Sequence, residues 1–317
     1  MLIEEIQKMN SKLLSHSHKK AFVLVSVLML GTLLISCATA FTWFVRVQVR
    51  QVYRERDNIA NRSMASVVSA ALINVLSQIG EQSDYDSPMQ SWFQPIVLRL
   101  NDLGIWVVQV AALDDKIPLR NLFLPDGNTL RHEFEEPFQN MLEKLKHREL
   151  ELILLDFMDR NTRPRVGGVE REDFINRGPY DISELLILSQ DITSEILYGS
   201  GTQLGIADYC TVFSDGKINL NFAPVHVMEL LPGLDEGGLA ERLAQNRTEE
   251  PLRSLRDVQK LPGASPRTST LLTNIAAFKS RYFEIRIECM TEESEGGRRF
   301  NIIFDRTTRQ IVKWEET

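Results

Sequence analysis

The apolar positions of the first 80 residues form two consecutive stretches, and both predict helix. Residues 21–45 are a run of 25 uncharged, mostly apolar residues, and a helix that crosses a bilayer needs roughly 20. After this run, apolar side chains recur at helical spacing as far as Ile79, and Gly80 supplies a stop. The pattern therefore predicts one continuous helix over residues 22–79. Its first half is apolar all round and its second half along one stripe.

The rest of the chain predicts strands near its two ends and helices between them. Residues 105–112 predict a strand, and residues 117–119 a short second strand that Pro118 would confine to a sheet edge. The final residues alternate apolar and polar side chains and predict an antiparallel meander of three strands, at 282–290, 300–305 and 311–315. Between these regions, proline and glycine separate stretches with helical spacing. The predicted helices are 134–155, 182–188, 225–231, 239–244 and 268–278.

These elements predict an α+β fold in which a long N-terminal helix packs on an antiparallel sheet, with a large all-α insertion between strands. The predicted organisation has six parts. They are a leader (1–21), a transmembrane helix (22–45), its amphipathic continuation (46–80), a first α+β part (81–125), the insertion (126–280) and the C-terminal meander (281–317).

Composition narrows the class of protein. Hydrophobic residues make up 43% of the 317 residues and charged residues 25%, which is typical of a globular chain. The formal net charge of −7 disfavours a general nucleic-acid-binding role, because phosphate binding requires a basic face. Cys37 lies in the apolar run. Cys210 and Cys289 could form a disulfide if the head lies outside the cytoplasm, or remain two buried thiols.

The N-terminus allows three interpretations. It could be a plain membrane anchor. It could be cleaved, either after the small-x-small triplet 38–40 or at a lipobox that ends at Cys37. Both cuts would leave strongly apolar residues at the new N-terminus, which argues against cleavage at either position. It could instead carry a prepilin-type leader, in which a basic stretch ends at Ala21 and Phe22 begins the mature chain, and this interpretation fits best. Positive charges flank the apolar run on both sides, so they do not settle its orientation.

Three blocks, taken in their order and spacing, resemble the K-class minor pseudopilins of the type II secretion system. The first is the leader with its helix. The second is DFMDRN (156–161), followed by GGVE (167–170) and ISEL (182–185). The third is DGKINLNFAP (215–224), which leads to LLPG (230–233) and then to LPG (261–263). The chain departs from the family pattern at Ala21, where glycine is usual, and at Phe222, where threonine is usual.

The resemblance implies a non-catalytic subunit at the tip of the pseudopilus, a filament that supports export of folded proteins across the outer membrane. It implies a single-pass protein of the bacterial inner membrane with its head in the periplasm, processed between Ala21 and Phe22 and methylated there. The implied partners are other minor pseudopilins, the major pseudopilin, the assembly platform and the prepilin peptidase. Most pseudopilins carry glutamate where this chain has Ser26. Because an unpartnered carboxylate in a bilayer costs roughly 3 kcal/mol, serine favours a tip position with no subunit above it.

Two groups of candidate site residues follow. Asp156, Asp159, Asn161 and Glu170 form an oxygen-rich set of the kind that calcium prefers, and the resemblance implies Ca²⁺ in this region. The alternative is a solvated acidic turn or helix cap. Ser26, Val67 and Ala71 are candidates for an assembly interface with neighbouring subunits, although Val67 and Ala71 could equally belong to the protein's own core.

Two rival functions remain open. The segment 231–247 is similar to a helix-hairpin-helix, which in nucleic-acid-binding proteins presents backbone amides to phosphate. Here the turn carries Asp235 and Glu236, which would repel phosphate. The other rival is a lipoprotein anchored at Cys37. No catalytic site is predicted, since the pair His132-Glu133 lacks the second histidine of a zinc-protease motif.

Overall fold

The computed structural model describes residues 2–100, 104–290 and 297–317, with side chains from residue 23 onward except at Leu100. The chain divides into two compact units, Met1–Met64 and Ala65–Thr317. Nothing observed bears directly on the six-part organisation predicted above, so its boundaries stay predictions.

Helix α1 covers Leu2–Gln82. The predicted helix over 22–79 is confirmed, and α1 also includes most of the residues assigned to the leader. By length and composition α1 is able to cross a membrane, and its most apolar 18-residue window is not buried at all. A signal sequence can have the same length and apolar composition.

The part of α1 in the second unit has one buried side and one exposed side. Ala65, Ser69 and Leu76 are buried, and their spacing follows the helical period. Gly80 lies against the side chain of Arg306, where an added Cβ would come within 2.7 Å of Cδ. Glycine therefore lets the end of the helix approach the loop that joins the last two strands of the main sheet.

The main sheet has five antiparallel strands in the order β1-β2-β7-β8-β9. Their bounds are Ile96–Leu100 (β1), Gly104–Ala112 (β2), Tyr282–Met290 (β7), Arg298–Asp305 (β8) and Gln310–Glu316 (β9). β2 and β7 are neighbours, with Trp106 opposite Cys289, so the chain leaves the sheet at β2 and returns beside it at β7. The sequence did not predict β1, whose short apolar run directly follows Pro95.

Strict alternation gives the central strands one buried face. Trp106, Val108 and Val110 of β2 are buried. So are the matching side chains of β7 and β8, which are Phe283, Ile285, Ile287, Phe300, Ile302 and Phe304. Trp106 stacks on Phe300 with ring centroids 6.5 Å apart. This face forms the core of the sheet.

The insertion consists of short helices joined by loops, together with two small parallel sheets. Its helices are His132–Lys144 (α2), Leu150–Met158 (α3), Ser194–Tyr198 (α4), Ile206–Tyr209 (α5), Val225–Met228 (α6), Leu239–Glu249 (α7), Leu255–Gln259 (α8) and Pro266–Leu272 (α9). The small sheets pair Ile117–Pro118 (β3) with Cys210–Thr211 (β4), and Ile218–Asn219 (β5) with Ala276–Ala277 (β6). A continuous apolar core runs from Ile117 to Ala276.

Three local predictions for this region were wrong. The strand at 117–119 is not an edge of the main sheet, because β3 pairs with β4 instead. The helix over 134–155 is broken between α2 and α3, where Lys146 has a positive φ of 62°. The helix over 268–278 ends at Leu272, and Ala276–Ala277 form strand β6 instead. In each case a tertiary pairing or a turn overrides a continuous apolar spacing, while the predicted fold class is confirmed.

Candidate functional sites

Asp86 lies at the junction of the helix, the insertion and the sheet. Its carboxylate accepts two hydrogen bonds from the Arg306 guanidinium, at 2.9 and 2.7 Å, and one from the Ser280 backbone N–H at 2.6 Å. Only 2% of the Asp86 side chain and 9% of the Arg306 side chain are exposed. No sequence pattern indicated this buried pair, since Asp86 stands in a polar segment that predicts a surface loop.

The asparagines of the INLN run (218–221) hold the same junction together. The Asn221 side-chain amide donates to the backbone carbonyls of Asp86 and Leu252, at 2.9 and 2.8 Å, and its oxygen accepts from the Leu252 N–H at 2.9 Å. The Asn219 amide donates to Ser280 Oγ at 2.8 Å. This run belongs to one of the blocks that carry the family resemblance. In the structure it joins the insertion to the segment that follows α1.

Two adjacent carboxyl groups near the start of the insertion have raised pKa values. Burial raises the pKa of Asp114 to about 7, although its Oδ2 accepts a hydrogen bond from the Arg281 N–H at 2.6 Å. Burial also raises the pKa of Asp115 to about 6, against the opposing charge of Lys116. These groups therefore titrate near neutral pH, far above a solvated aspartate.

Three of the predicted calcium ligands come together beside α3. Asp156 and Asp159 have no exposed surface. Asp156 accepts backbone hydrogen bonds from Arg165 and Val169, at 3.1 and 3.0 Å. The loop approaches so closely that a Cβ at Gly168 would lie 2.0 Å from the Asp156 carboxylate. Burial raises the pKa of Asp159, and the charges of Asp156 and Glu170 raise it further.

Arg165 supplies positive charge inside this acidic cluster, which we define as Asp156, Asp159 and Glu170. Its Nη2 donates to Asp159 Oδ2 at 3.1 Å, and its Nε lies 3.5 Å from Asp156 Oδ1. Three carboxylates and one guanidinium leave two negative charges unbalanced when all are ionised. Asp159 Oδ1 and both carboxylate oxygens of Glu170 are buried without a hydrogen-bond partner.

The acidic cluster fits a divalent cation in its donor chemistry and in its charge. Unpartnered buried oxygens are costly, and oxygen ligands are those that Ca²⁺ prefers. Within the described residues, however, no three His, Cys, Asp or Glu side chains are already arranged to hold a metal ion. The fourth predicted ligand, Asn161, is tied to its own loop. Its amide donates to Asn128 Oδ1 at 3.2 Å, and its oxygen accepts from the Arg163 N–H at 2.8 Å.

The candidate assembly residues all lie on α1. Val67 and Ala71 are exposed, and the Val67 side chain is 64% exposed. At about 100° per residue they project from the side of the helix opposite to the buried Leu76. Ser26 is also exposed. Ala21 and Phe22 lie within α1, and their side chains fall outside the described residues.

Cys210 and Cys289 are not bridged in this structure, which corresponds to the second of the two alternatives, a pair of buried thiols. Neither cysteine forms a disulfide, and both are buried. Cys210 lies in the core of the insertion, where its Sγ is 3.3 Å from Met141 Sδ. Cys289 is on β7 within the main sheet. The two thiols therefore lie in separate packing environments.

In the hairpin between α6 and α7, the amide of Gly233 is already hydrogen-bonded within the chain. Gly233 has a φ of +82°, as the turn requires. Its N–H donates to the Asp235 carboxylate at 2.9 Å. An acidic side chain thus occupies the position at which a phosphate oxygen would bind.

Comparison with solved structures finds a similar fold in a secretion-system complex. No family model matches the sequence, and no curated protein matches it. A chain in the crystal structure of the GspK-GspI-GspJ complex from the enterotoxigenic Escherichia coli Type 2 Secretion System is similar in structure, with a TM-score of 0.56. The match covers 86% of this chain and 99% of the other at 14% sequence identity. The two chains share a pilin-like fold with a long N-terminal helix, an antiparallel sheet and additional helices.

Proposed function

We propose that this protein is a minor pseudopilin that forms part of the tip of a type II secretion pseudopilus. The single observation that carries the proposal is the shared fold, which covers 99% of a chain taken from a three-protein complex of that secretion system. The motif blocks in the sequence support the same assignment independently. The role is one of assembly, in which the subunit starts the filament and supports export of folded proteins, and no catalytic step is assigned.

The exposed side of α1 supports an interface with other subunits. Val67 and Ala71 face away from the protein's own core, so burying them requires a partner. Helices of other minor pseudopilins would supply that partner, and Ser26 would lie within the membrane without the cost of a buried carboxylate. The bulky insertion favours the end of the filament, where it would not obstruct packing along the shaft.

The mature N-terminus tests the processing route. If the leader is removed by a prepilin peptidase, protein purified from cell membranes begins at Phe22 and retains the apolar half of α1. Terminal sequencing combined with intact mass measurement would show this start and any methylation. A lipid-modified Cys37 would support the lipoprotein alternative, and a water-soluble protein that begins at Phe41 would support secretion. Either result would contradict the proposed route.

We also propose that the acidic cluster binds Ca²⁺ and thereby stabilises the insertion. Asp159 and Glu170 would hold the ion through their unpartnered oxygens, with Asp156 beside them. A ligand present at 100 times its dissociation constant stabilises the folded state by about 2.7 kcal/mol. We therefore expect millimolar CaCl₂ to raise the thermal unfolding temperature of the full chain in detergent, relative to the same sample in EDTA.

Variants separate binding at this cluster from a general salt effect. Asp159→Asn should abolish the calcium-dependent increase, whereas Glu195→Gln, which changes a carboxylate on the separate helix α4, should retain it. Equal unfolding temperatures of the unmodified protein in CaCl₂ and EDTA would refute calcium binding. That result would leave Arg165 as the counterion of the cluster.

A further inference from the structure

A cleft of about 490 Å³ opens between the start of α8, strand β6 and the segment that follows α1. Its lining combines basic and apolar side chains. Lys217, Arg253, Arg256 and Lys279 contribute positive charge. Among the described residues that line it, Asp84 is the one acidic side chain. The cleft is therefore positive on a chain whose formal net charge is −7.

The positive charges of the cleft are not neutralised within the protein. Across the part of the chain that the structure describes, Lys217, Arg253 and Arg256 form no ion pair with a carboxylate. Like charges gathered in a concave surface repel one another and attract anions. An anionic ligand would relieve this repulsion.

Two of the basic groups are held in place. The Arg253 guanidinium lies over the Tyr85 ring, 5.3 Å from its centroid. The Lys279 ammonium donates a hydrogen bond to the carbonyl of Gly80. Fixed cations lose little side-chain entropy when an anion binds, so these contacts prepare the cleft for a ligand.

The apolar part of the lining indicates the kind of anion. Leu255, Ala277 and Phe278 are only partly buried and line the same cleft as the cations. An isolated small anion would leave these apolar side chains in contact with water. A polypeptide segment that alternates acidic and apolar side chains would satisfy both parts of the lining at once.

We propose that this cleft binds an acidic, partly apolar polypeptide segment of another protein, through charge pairing with Lys217, Arg253 and Arg256. The cleft lies wholly within the unit Ala65–Thr317 and does not involve the exposed side of α1. Binding here can therefore fail while filament assembly succeeds, or the reverse.

The test uses the full chain in detergent and a fluorescein-labelled eight-residue peptide of alternating aspartate and leucine. Fluorescence anisotropy should show binding that weakens as salt increases. The double variant Arg253→Glu/Arg256→Glu should weaken binding at least tenfold. Arg163→Glu, which reverses one charge at an exposed position outside the cleft, should not alter it. A peptide with lysine in place of aspartate should not bind.

Two further measurements make the result decisive. Arg253→Gln/Arg256→Gln removes the charges without reversing them, so it supplies the comparison if the glutamate variant does not fold. Inorganic phosphate and a short DNA duplex serve as competitors. Unchanged peptide affinity in the glutamine variant would overturn the proposal. Complete displacement of the peptide by millimolar phosphate would also overturn it, by identifying a small-anion site.

Discussion

Replacing Asp86 by alanine is expected to lower the free energy of unfolding of the head by about 3–5 kcal/mol. The substitution leaves the buried Arg306 guanidinium without its counterion, and breaking a buried ion pair from one side carries a cost of this size. It also removes the acceptor of the Ser280 N–H. Since a whole domain is stable by only about 5–15 kcal/mol, the loss should be visible as a large decrease in the urea midpoint, followed by tryptophan fluorescence.

The matched control is the exposed pair formed by Glu81 and Arg309, whose side chains are 66% and 63% exposed. Glu81→Ala should cost less than about 1 kcal/mol, because solvent screens an exposed pair. Asp86→Asn keeps the shape of the side chain and should fall between the two. If Asp86→Ala and Glu81→Ala had similar midpoints, Asp86 would not be the structural junction described above.

The second large effect is a loss of stability as pH rises from 5 to 8. The folded-state pKa of Asp114 is about 7, above that of a solvated aspartate, so the folded state holds its proton more tightly than the unfolded chain does. The stabilisation associated with this proton is fully present below about pH 4 and is lost as pH rises through 7. Between pH 5 and 8 the decrease from Asp114 alone is on the order of 2–3 kcal/mol.

Asp114→Asn isolates this contribution. Asparagine keeps an oxygen for the Arg281 N–H but does not titrate, so the difference in unfolding free energy between pH 5 and pH 8 should shrink. A smaller dependence should remain, because the pKa of Asp115 is raised to about 6. An unmodified protein that is equally stable at both pH values would contradict the assignment, and so would a variant that retains the full difference.

The sequence was most informative where a single physical constraint acts over many residues. The length of the apolar run and the helical spacing of apolar residues after it predicted the helix over residues 22–79. Strict alternation predicted β7 with its observed bounds, 282–290. Such patterns depend on local spacing alone, so they can be recognised in the sequence without knowing which distant segments pack against them.

The sequence was least informative where distant segments meet. Strand β1 is recognisable only once β2 lies beside it, and β3 pairs with β4, which is more than 90 residues away. The Asp86–Arg306 pair joins positions 220 residues apart, and the positive charge of the cleft comes from three separate segments. For the candidate ion site, the motif placed Asp156, Asp159 and Glu170 together, but nothing in it predicted that Arg165 would enter the cluster.

Assembly through the exposed side of α1 is the central claim. It is tested most directly by native electrophoresis of detergent-solubilised membranes, followed by mass spectrometry of the complex. We predict that the protein migrates with other proteins that carry a long apolar N-terminal helix. Val67→Arg/Ala71→Arg should release it as a monomer, while Ser66→Arg, on another side of the same helix, should not. A native protein that migrates as a monomer, or a complex that survives the double substitution unchanged, would contradict the claim.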